Sequence, residues 1–175
     1  MTWYYHPKLD IYATGFYLGT AGKNIHGYDD QGWWDFSRRI RRFKLYGHHT
    51  EQITTQLAPL QQQFSDIVIV PPNRIEKTST LQSLYGNTLE RVKTVSKRTY
   101  VHHAHITQEY YDSLTLHTER LTGTSICLLD DICATGKSLH ACQQMFPPSY
   151  TVTCCALAFS LSLFPECQQK HPGDI

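Results

Sequence analysis

Apolar and polar positions divide the chain into alternating strand-like and helix-like segments. Residues 66–70 read Asp-Ile-Val-Ile-Val, and four consecutive β-branched residues are typical of a parallel strand buried on both faces. Residues 126–129 and 150–161 are further apolar runs, and a helix-like segment ending near Phe146 lies between them. A strand, a helix and a second strand in this order form a βαβ unit. The sequence therefore predicts an α/β fold with a mainly parallel sheet flanked by helices.

Three more helices are predicted by periodicity. The first is indicated by apolar residues at three- and four-residue spacing, namely Trp33, Phe36, Ile40 and Phe43. Gly47 is placed to end it. A second helix is expected over residues 49–64, where Pro59 should kink or split it. A third is expected over residues 79–92.

The remaining segments are less regular. Residues 10–18 indicate one or two short strands broken near Gly15, and residues 100–106 indicate another strand. The polar stretch 107–124 has no clear periodicity. We therefore assign it no element.

Length, charge and cysteine content narrow the class of protein. The 175 residues fit one domain. With 16 Lys and Arg against 15 Asp and Glu, the chain is not a globally basic nucleic-acid coat protein. No apolar run reaches the roughly 18 residues of a membrane span, and no signal peptide is visible. The six cysteines follow residue 126 without a Cys-x-x-Cys pair, so we expect reduced thiols in a cytoplasmic protein with no membrane partner.

The strongest chemical signal is an acid pair. Asp130 and Asp131 follow the apolar run 126–129, and open α/β sheets bind ligands at the carboxyl ends of their strands. Two adjacent carboxylates can accept hydrogen bonds from the paired hydroxyls of a sugar. They can also help to hold hydrated Mg²⁺.

The loop after the acid pair suits a phosphate group. Its small and hydroxyl-bearing residues open a helix, whose free N–H groups and dipole attract an anion. The expected phosphate-binding residues are Cys133, Ala134, Thr135, Gly136, Lys137 and Ser138. A diol site beside a phosphate site fits a ribose 5-phosphate.

A nucleotide-triphosphatase P-loop is the competing interpretation of Gly136-Lys137-Ser138. That motif requires a glycine five positions before Gly136. The chain has Asp131 there, and its carboxylate would point into the phosphate cradle. We reject the P-loop.

Residues 128–139 resemble the phosphoribosyl-pyrophosphate (PRPP) motif of type I phosphoribosyltransferases. They read Leu-Leu-Asp-Asp-Ile-Cys-Ala-Thr-Gly-Lys-Ser-Leu. The resemblance implies that Asp130 and Asp131 contact the ribose hydroxyls and indirectly hold a Mg²⁺ cofactor, while the following loop binds the 5-phosphate.

An earlier strand and loop are similar to the pyrophosphate loop of that family. Residues 67–74 read Ile-Val-Ile-Val-Pro-Pro-Asn-Arg. The resemblance implies pyrophosphate contacts from Pro72, Asn73 and Arg74, with Lys77 as a weaker candidate. A water-excluding loop would fall at residues 97–118.

Among these enzymes the chain is most similar to the ComF-type competence-associated phosphoribosyltransferases. Residues 40–47, Ile-Arg-Arg-Phe-Lys-Leu-Tyr-Gly, resemble their basic-aromatic helix, which ends in a Lys and a Gly. The resemblance implies a small N-terminal hood at residues 1–47 and a phosphoribosyltransferase-like core at residues 48–175. Ala134 stands where hypoxanthine-guanine enzymes carry an acid, so salvage of 6-oxopurines is disfavoured.

Two functions stay open at this level. The first is Mg²⁺-assisted transfer of a phosphoribosyl group from PRPP to an acceptor that the sequence does not identify. The second is a non-catalytic module that binds phosphoribosyl compounds or nucleic acid in regulation or DNA uptake. Nucleic acid could be contacted by the basic cluster Arg38, Arg39, Arg41 and Arg42, although the solvated face of an amphipathic helix is the favoured interpretation of this cluster. An oligomer or a larger complex is compatible with either function, and a metal site at His103 and His105 would need further ligands.

Overall fold

The computed structural model describes residues 2–18, 32–72, 74–75, 78–94, 107–170 and 175. The strands are β1 (Trp3–His6), β2 (Ile11–Ala13), β3 (Phe16–Tyr17), β4 (Asp66–Ile69), β5 (Leu89–Arg91), β6 (Leu114–Leu116), β7 (Ser125–Cys133), β8 (Thr151–Ser160) and β9 (Gln168–Lys170). The α-helices are α1 (Trp33–Tyr46), α2 (Thr50–Gln63), α3 (Thr80–Tyr85), α4 (Gln108–Tyr111) and α5 (Lys137–Gln143). Two 3₁₀ helices span Thr118–Arg120 and Leu161–Glu166.

The main sheet has seven strands in the order β4-β7-β8-β2-β1-β9, with β3 also paired to β8. The strands β4, β7, β8 and β2 run parallel, as does β3, whereas β1 is antiparallel to β2 and β9. The predicted class is thereby confirmed as an α/β fold with a mostly parallel, mixed sheet flanked by helices. The strands β5 and β6 form a separate antiparallel pair.

The predicted βαβ unit is confirmed as β7, α5 and β8. However, β7 does not end at residue 129 but continues through both acids to Cys133, because β8 offers pairing partners as far as Phe159. The acid pair therefore lies within the last part of a strand and not in the loop after it.

Helix α1 confirms the expected apolar face. Trp33, Phe36, Ile40 and Phe43 are all buried. Gly47 ends the helix in the left-handed region, with a φ of 68°, and donates its N–H to the carbonyl of Phe43 at 2.9 Å. A β-carbon on Gly15 would lie 2.8 Å from the Trp33 ring. Gly15 thus lets α1 pack directly on the N-terminal strands.

The second predicted helix is confirmed as α2, which spans Thr50–Gln63. It is continuous through Pro59, so of the two expected effects of that proline the split does not occur. The buried side chains of Ile53, Leu57 and Leu60 hold both halves of α2 against the core, which compensates for the missing proline N–H.

The third helix is much shorter than residues 79–92. It begins with a Ser79–Gln82 capping box and ends at Gly86, whose φ of 87° favours glycine. Leu89, which falls within the predicted helix, instead lies buried in β5 opposite Leu116.

The N-terminal strands lie inside the main sheet, where β2 and β3 both pair with β8. The boundary expected at residue 47 stays a prediction. The strand expected at residues 100–106 lies outside the described residues, and the expected water-excluding loop is described only from residue 107, where α4 and β6 follow.

All six cysteines are free thiols, and five of them are buried. This agrees with their expected role as small apolar residues. Within the described ranges, no helix has the length and apolar character needed to cross a membrane.

Candidate functional site

The acid pair lies between two parallel neighbours. Strand β7 is flanked by β4 and β8, and the N–H of Val70 donates to the carbonyl of Leu129 at 2.9 Å. The Val-Pro-Pro loop therefore leaves the sheet directly beside Asp130. Parallel strands deliver their carboxyl ends to one edge, so the two loops predicted from the sequence are brought together there.

Asp131 is held by Lys44 in the last turn of α1. The Lys44 Nζ lies 2.8 Å from Oδ1 and 2.7 Å from Oδ2 of Asp131. The side chains are 46% and 17% exposed, respectively. Burial lowers the pKa of Lys44, but the negative charges of Asp131 and Asp130 outweigh this effect and the pKa is raised overall. Lys44 therefore carries a full positive charge at neutral pH.

Asp130 has a different environment. Its Oδ1 accepts a hydrogen bond from the N–H of Asp131 at 2.7 Å. Burial, followed by repulsion from Asp131, raises the pKa of Asp130 to about 7, while Lys44 lowers it in part. At neutral pH this carboxyl group is therefore divided between a protonated donor and an ionised acceptor.

The predicted phosphate loop is only partly accessible. Ala134 and Thr135 are exposed, and Lys137 and Ser138 are half-buried. Gly136 is buried, has a φ of 73°, and a β-carbon there would lie 2.9 Å from Cδ1 of Ile11. Both the backbone conformation and the close packing therefore require glycine. Because α5 has only seven residues, a phosphate would depend mainly on loop N–H groups and hydroxyls.

Of Cys133, only the backbone is available to bind a phosphate at this loop. Its side chain is buried, and burial, reinforced by the charge of Asp130, raises the pKa of its thiol to about 12. A neutral, enclosed thiol is a poor nucleophile, so the Cys133 side chain has a packing role.

The predicted pyrophosphate residues are described in part. Pro72 is half-buried and directly follows the last residues of β4, whereas Arg74 is exposed. Asn73 and Lys77 lie outside the described residues, as do His103 and His105. The carbonyl of Pro72 accepts a hydrogen bond from Nε of Arg91 at 2.8 Å.

Sequence reasoning missed the positions of Lys44 and Arg91. Lys44 lies in the basic helix α1, and its spacing gives no indication that it reaches Asp131, 87 positions later in the chain. Arg91 gave no signal, because it was assigned to a helix that ends six residues earlier at Tyr85.

The basic cluster of α1 is not uniform. Arg38 pairs with Asp35, and the Arg39 guanidinium lies 6.0 Å from the centroid of the Phe36 ring. Arg41 and Arg42 are exposed, close in sequence to the exposed Tyr46. An open cavity of about 450 Å³, lined by Gly32, Trp34, Asp35 and Arg38, lies at the end of α1 opposite Lys44. It does not include the acid pair.

Metal-binding capacity at the acid pair is limited to two carboxylates. The part of the chain that the structure describes contains no group of three or more His, Cys, Asp or Glu side chains arranged to hold a metal ion. Carboxylate oxygens are suitable ligands for Mg²⁺, which usually keeps several waters and takes further ligands from a bound phosphate compound. The residues present thus fit a Mg²⁺ ion that arrives with its ligand.

Comparison with known proteins gives no relative for this chain: no family model, no curated protein and no solved structure matches it.

Proposed function

We propose that the chain binds PRPP, or a closely related ribose 5-phosphate compound, and transfers its phosphoribosyl group to an acceptor. The observation that supports this proposal is the position of the acid pair. Asp130 and Asp131 lie in the last part of a parallel strand that ends at Cys133 before a loop of small residues, and beside the Val-Pro-Pro loop of β4.

Different residues would contact different parts of the ligand. Asp130 and Asp131 would accept hydrogen bonds from the ribose hydroxyls, residues 134–138 would bind the 5-phosphate, and the region of Pro72 would face the pyrophosphate. Mg²⁺, held by the acid pair through water and by ligand oxygens, would supply positive charge beside the pyrophosphate.

In the proposed reaction, the bond from the anomeric carbon to the pyrophosphate oxygen breaks and a bond to the acceptor forms. The chain's contribution is to hold both anionic groups, orient the anomeric carbon and exclude water. Lys44 lies at the acid pair, so a cation approaching Asp131 would compete with its ammonium group.

Calorimetric titration with PRPP, with and without Mg²⁺, tests this proposal. Wild-type protein should bind PRPP, and Asp130→Asn/Asp131→Asn should abolish binding. The matched control is Asp112→Asn, which removes an exposed carboxylate that accepts only a local hydrogen bond from Gln108, and it should bind as wild type does. The site assignment fails if wild type does not bind, or if the double variant binds equally well.

Release of pyrophosphate across a panel of nucleobases and other acceptors then separates an enzyme from a binding module. A binder without turnover would retain the ligand assignment and reject transfer.

A second candidate function is binding of single-stranded nucleic acid. The exposed pair Arg41 and Arg42, near the exposed Tyr46, favours this alternative because cations meet phosphates and an aromatic ring can stack on a base. If both arginines contact phosphates, Arg41→Ala/Arg42→Ala should reduce the salt slope of single-strand binding by about 1.4. An unchanged slope would reject this interface.

A further inference from the structure

Arg91 is a buried cation, and no carboxylate of the residues that the structure describes pairs with it. It is the last residue of β5 and is 6% exposed. The ion pairs formed among the described residues do not include it. Removing a charge from water without a full counter-charge is expensive, so burial of Arg91 lowers stability unless another group balances its charge.

The partners of Arg91 offset its charge only in part. Nε donates to the carbonyl of Pro72 at 2.8 Å, and Nη1 donates to Oγ of Ser113 at 2.5 Å. The guanidinium lies 4.7 Å from the centroid of the Tyr110 ring, which is a cation–π contact. Nη2 is enclosed and has no hydrogen-bond partner among the residues that the structure describes. A carbonyl, a hydroxyl and a ring supply partial charges but no full negative charge.

The contacts of Arg91 connect it to both predicted anion-binding loops. Pro72 follows β4, and the Tyr110 hydroxyl interacts with Ser138 in the first turn of α5 as well as with Arg91. Because β4 and β7 are parallel neighbours, both loops leave the same edge of the sheet. The N–H of Val70 donates to the carbonyl of Leu129, the residue before Asp130. The Pro72 carbonyl that Arg91 contacts therefore belongs to the loop beside the acid pair.

We propose that Arg91 is a positioning residue whose buried positive charge is balanced by the pyrophosphate group of a ligand bound over Pro72. This inference rests on the proposed function. Arg91 would act through the Pro72 carbonyl and through Tyr110 and Ser138, because its own guanidinium is enclosed. In a medium of low dielectric constant, one such charge attracts an anion without direct contact.

The proposal is tested by measuring the affinity of the protein for inorganic pyrophosphate. The decisive variant is Arg91→Met. Methionine fills the site without the charge, so this variant should unfold at the same temperature as wild type or higher when no ligand is present. Its affinity for pyrophosphate should fall about tenfold, which corresponds to about 1.4 kcal/mol. A purely structural arginine would show the opposite result, namely lower stability and unchanged affinity.

Two further variants complete the design. Arg91→Lys keeps the charge, so it should restore most of the pyrophosphate affinity. Arg120→Met removes a half-exposed arginine that pairs with Glu90, next to Arg91 in β5, and it should bind pyrophosphate as wild type does.

The following results would overturn the proposal. They are equal pyrophosphate affinity in wild type and Arg91→Met, absence of pyrophosphate binding in wild type, or failure of both Arg91→Met and Arg91→Gln to fold. The last result would show that the charge is already compensated in the free protein.

The two proposals fail separately. PRPP binding that depends on the acid pair, with pyrophosphate affinity unchanged in Arg91→Met, rejects the role of Arg91 alone. Pyrophosphate binding that depends on Arg91, without PRPP binding, rejects the phosphoribosyl assignment alone.

Discussion

Two cations approach the acid-pair end of the sheet from different elements, and the protein holds them in opposite ways. Lys44 of α1 is half-exposed and contacts both oxygens of Asp131. Arg91 of β5 is buried and contacts a carbonyl, a hydroxyl and an aromatic ring. Lys44 thus has a full counter-charge, although its ammonium group is exposed enough to be solvated by water instead. Arg91 has no counter-charge among the described residues, and it is only 6% exposed to water.

This difference separates two kinds of electrostatic design. A half-exposed ion pair contributes little to stability and can be exchanged for another ion. A buried cation is removed from water when the chain folds. Any part of its charge that the fold does not balance then stays unbalanced until an anion binds nearby. The predictions below test this contrast.

The largest expected effect is a dependence of stability on pH that arises on the Lys44 side of the site. The pKa of Asp130 is raised from 3.8 to about 7 in the folded protein, so the folded state holds this proton more tightly than the unfolded state. Its contribution to stability is present at low pH and is lost as pH rises towards 7. The free energy of unfolding from urea titrations should therefore fall between about pH 4 and pH 7, which are the unfolded and folded pKa values of Asp130.

Asp130→Asn should remove most of this dependence and be more stable than wild type at pH 8. Asp112→Asn should keep the dependence, as should Arg91→Met, since arginine stays charged throughout this range. A wild-type stability that is flat or rises with pH in this window would contradict the burial of Asp130.

An intermediate effect is expected on the Arg91 side. Ser113→Ala removes the hydroxyl that accepts from Arg91 and donates to the carbonyl of Tyr110. Leaving a buried charged donor without its partner should lower the free energy of unfolding by about 2 kcal/mol. In an Arg91→Met background, the same substitution should have a clearly smaller effect in a double-mutant cycle. Equal effects in both backgrounds would show that Ser113 matters for its own loop and not for Arg91.

The smallest effect on stability is expected for Lys44→Met. Removal of a half-exposed ion pair should change the free energy of unfolding by less than about 1 kcal/mol. The pKa of Asp130, followed by NMR titration of its carboxyl carbon, should rise because Lys44 lowers it in wild type.

The control for Lys44 is Lys8→Met, which breaks a comparable exposed pair with Glu166 at 2.8 Å. It should leave the pKa of Asp130 unchanged. A pKa of Asp130 that does not move in Lys44→Met would place the ammonium group away from the acid pair in solution.

The centre of the fold could be predicted from the sequence because its signals are local. Continuous apolar runs mark β4, β7 and β8, and the small residues before α5 separate strand from helix. The end of β7 could not be predicted, because Ile132 and Cys133 extend the strand only through their pairing with Ala158 and Phe159 of β8.

The candidate site was predictable to the extent that it follows strand ends. Asp130, Asp131 and Pro72 come directly after apolar runs or within their last residues. Lys44 and Asp131 are 87 positions apart, and Arg91 and Pro72 are 19 apart. Such contacts depend on how α1 and β5 pack, which no spacing in the sequence encodes. The unpaired charge of Arg91 becomes visible only once its burial is known.

The pairing of β2 with β8 has a consequence for the order in which the protein folds. Residues 11–13 are parallel partners of residues 154–156, so a strand near the beginning of the chain is fixed by one near its end. Pairings so distant in sequence form slowly, because a long loop must close first. On the ribosome, β2 could pair with β8 only after residues 154–156 had been synthesised. A nascent chain that stalls before β8 would therefore expose two N-terminal strands whose edges have no partner in the main sheet.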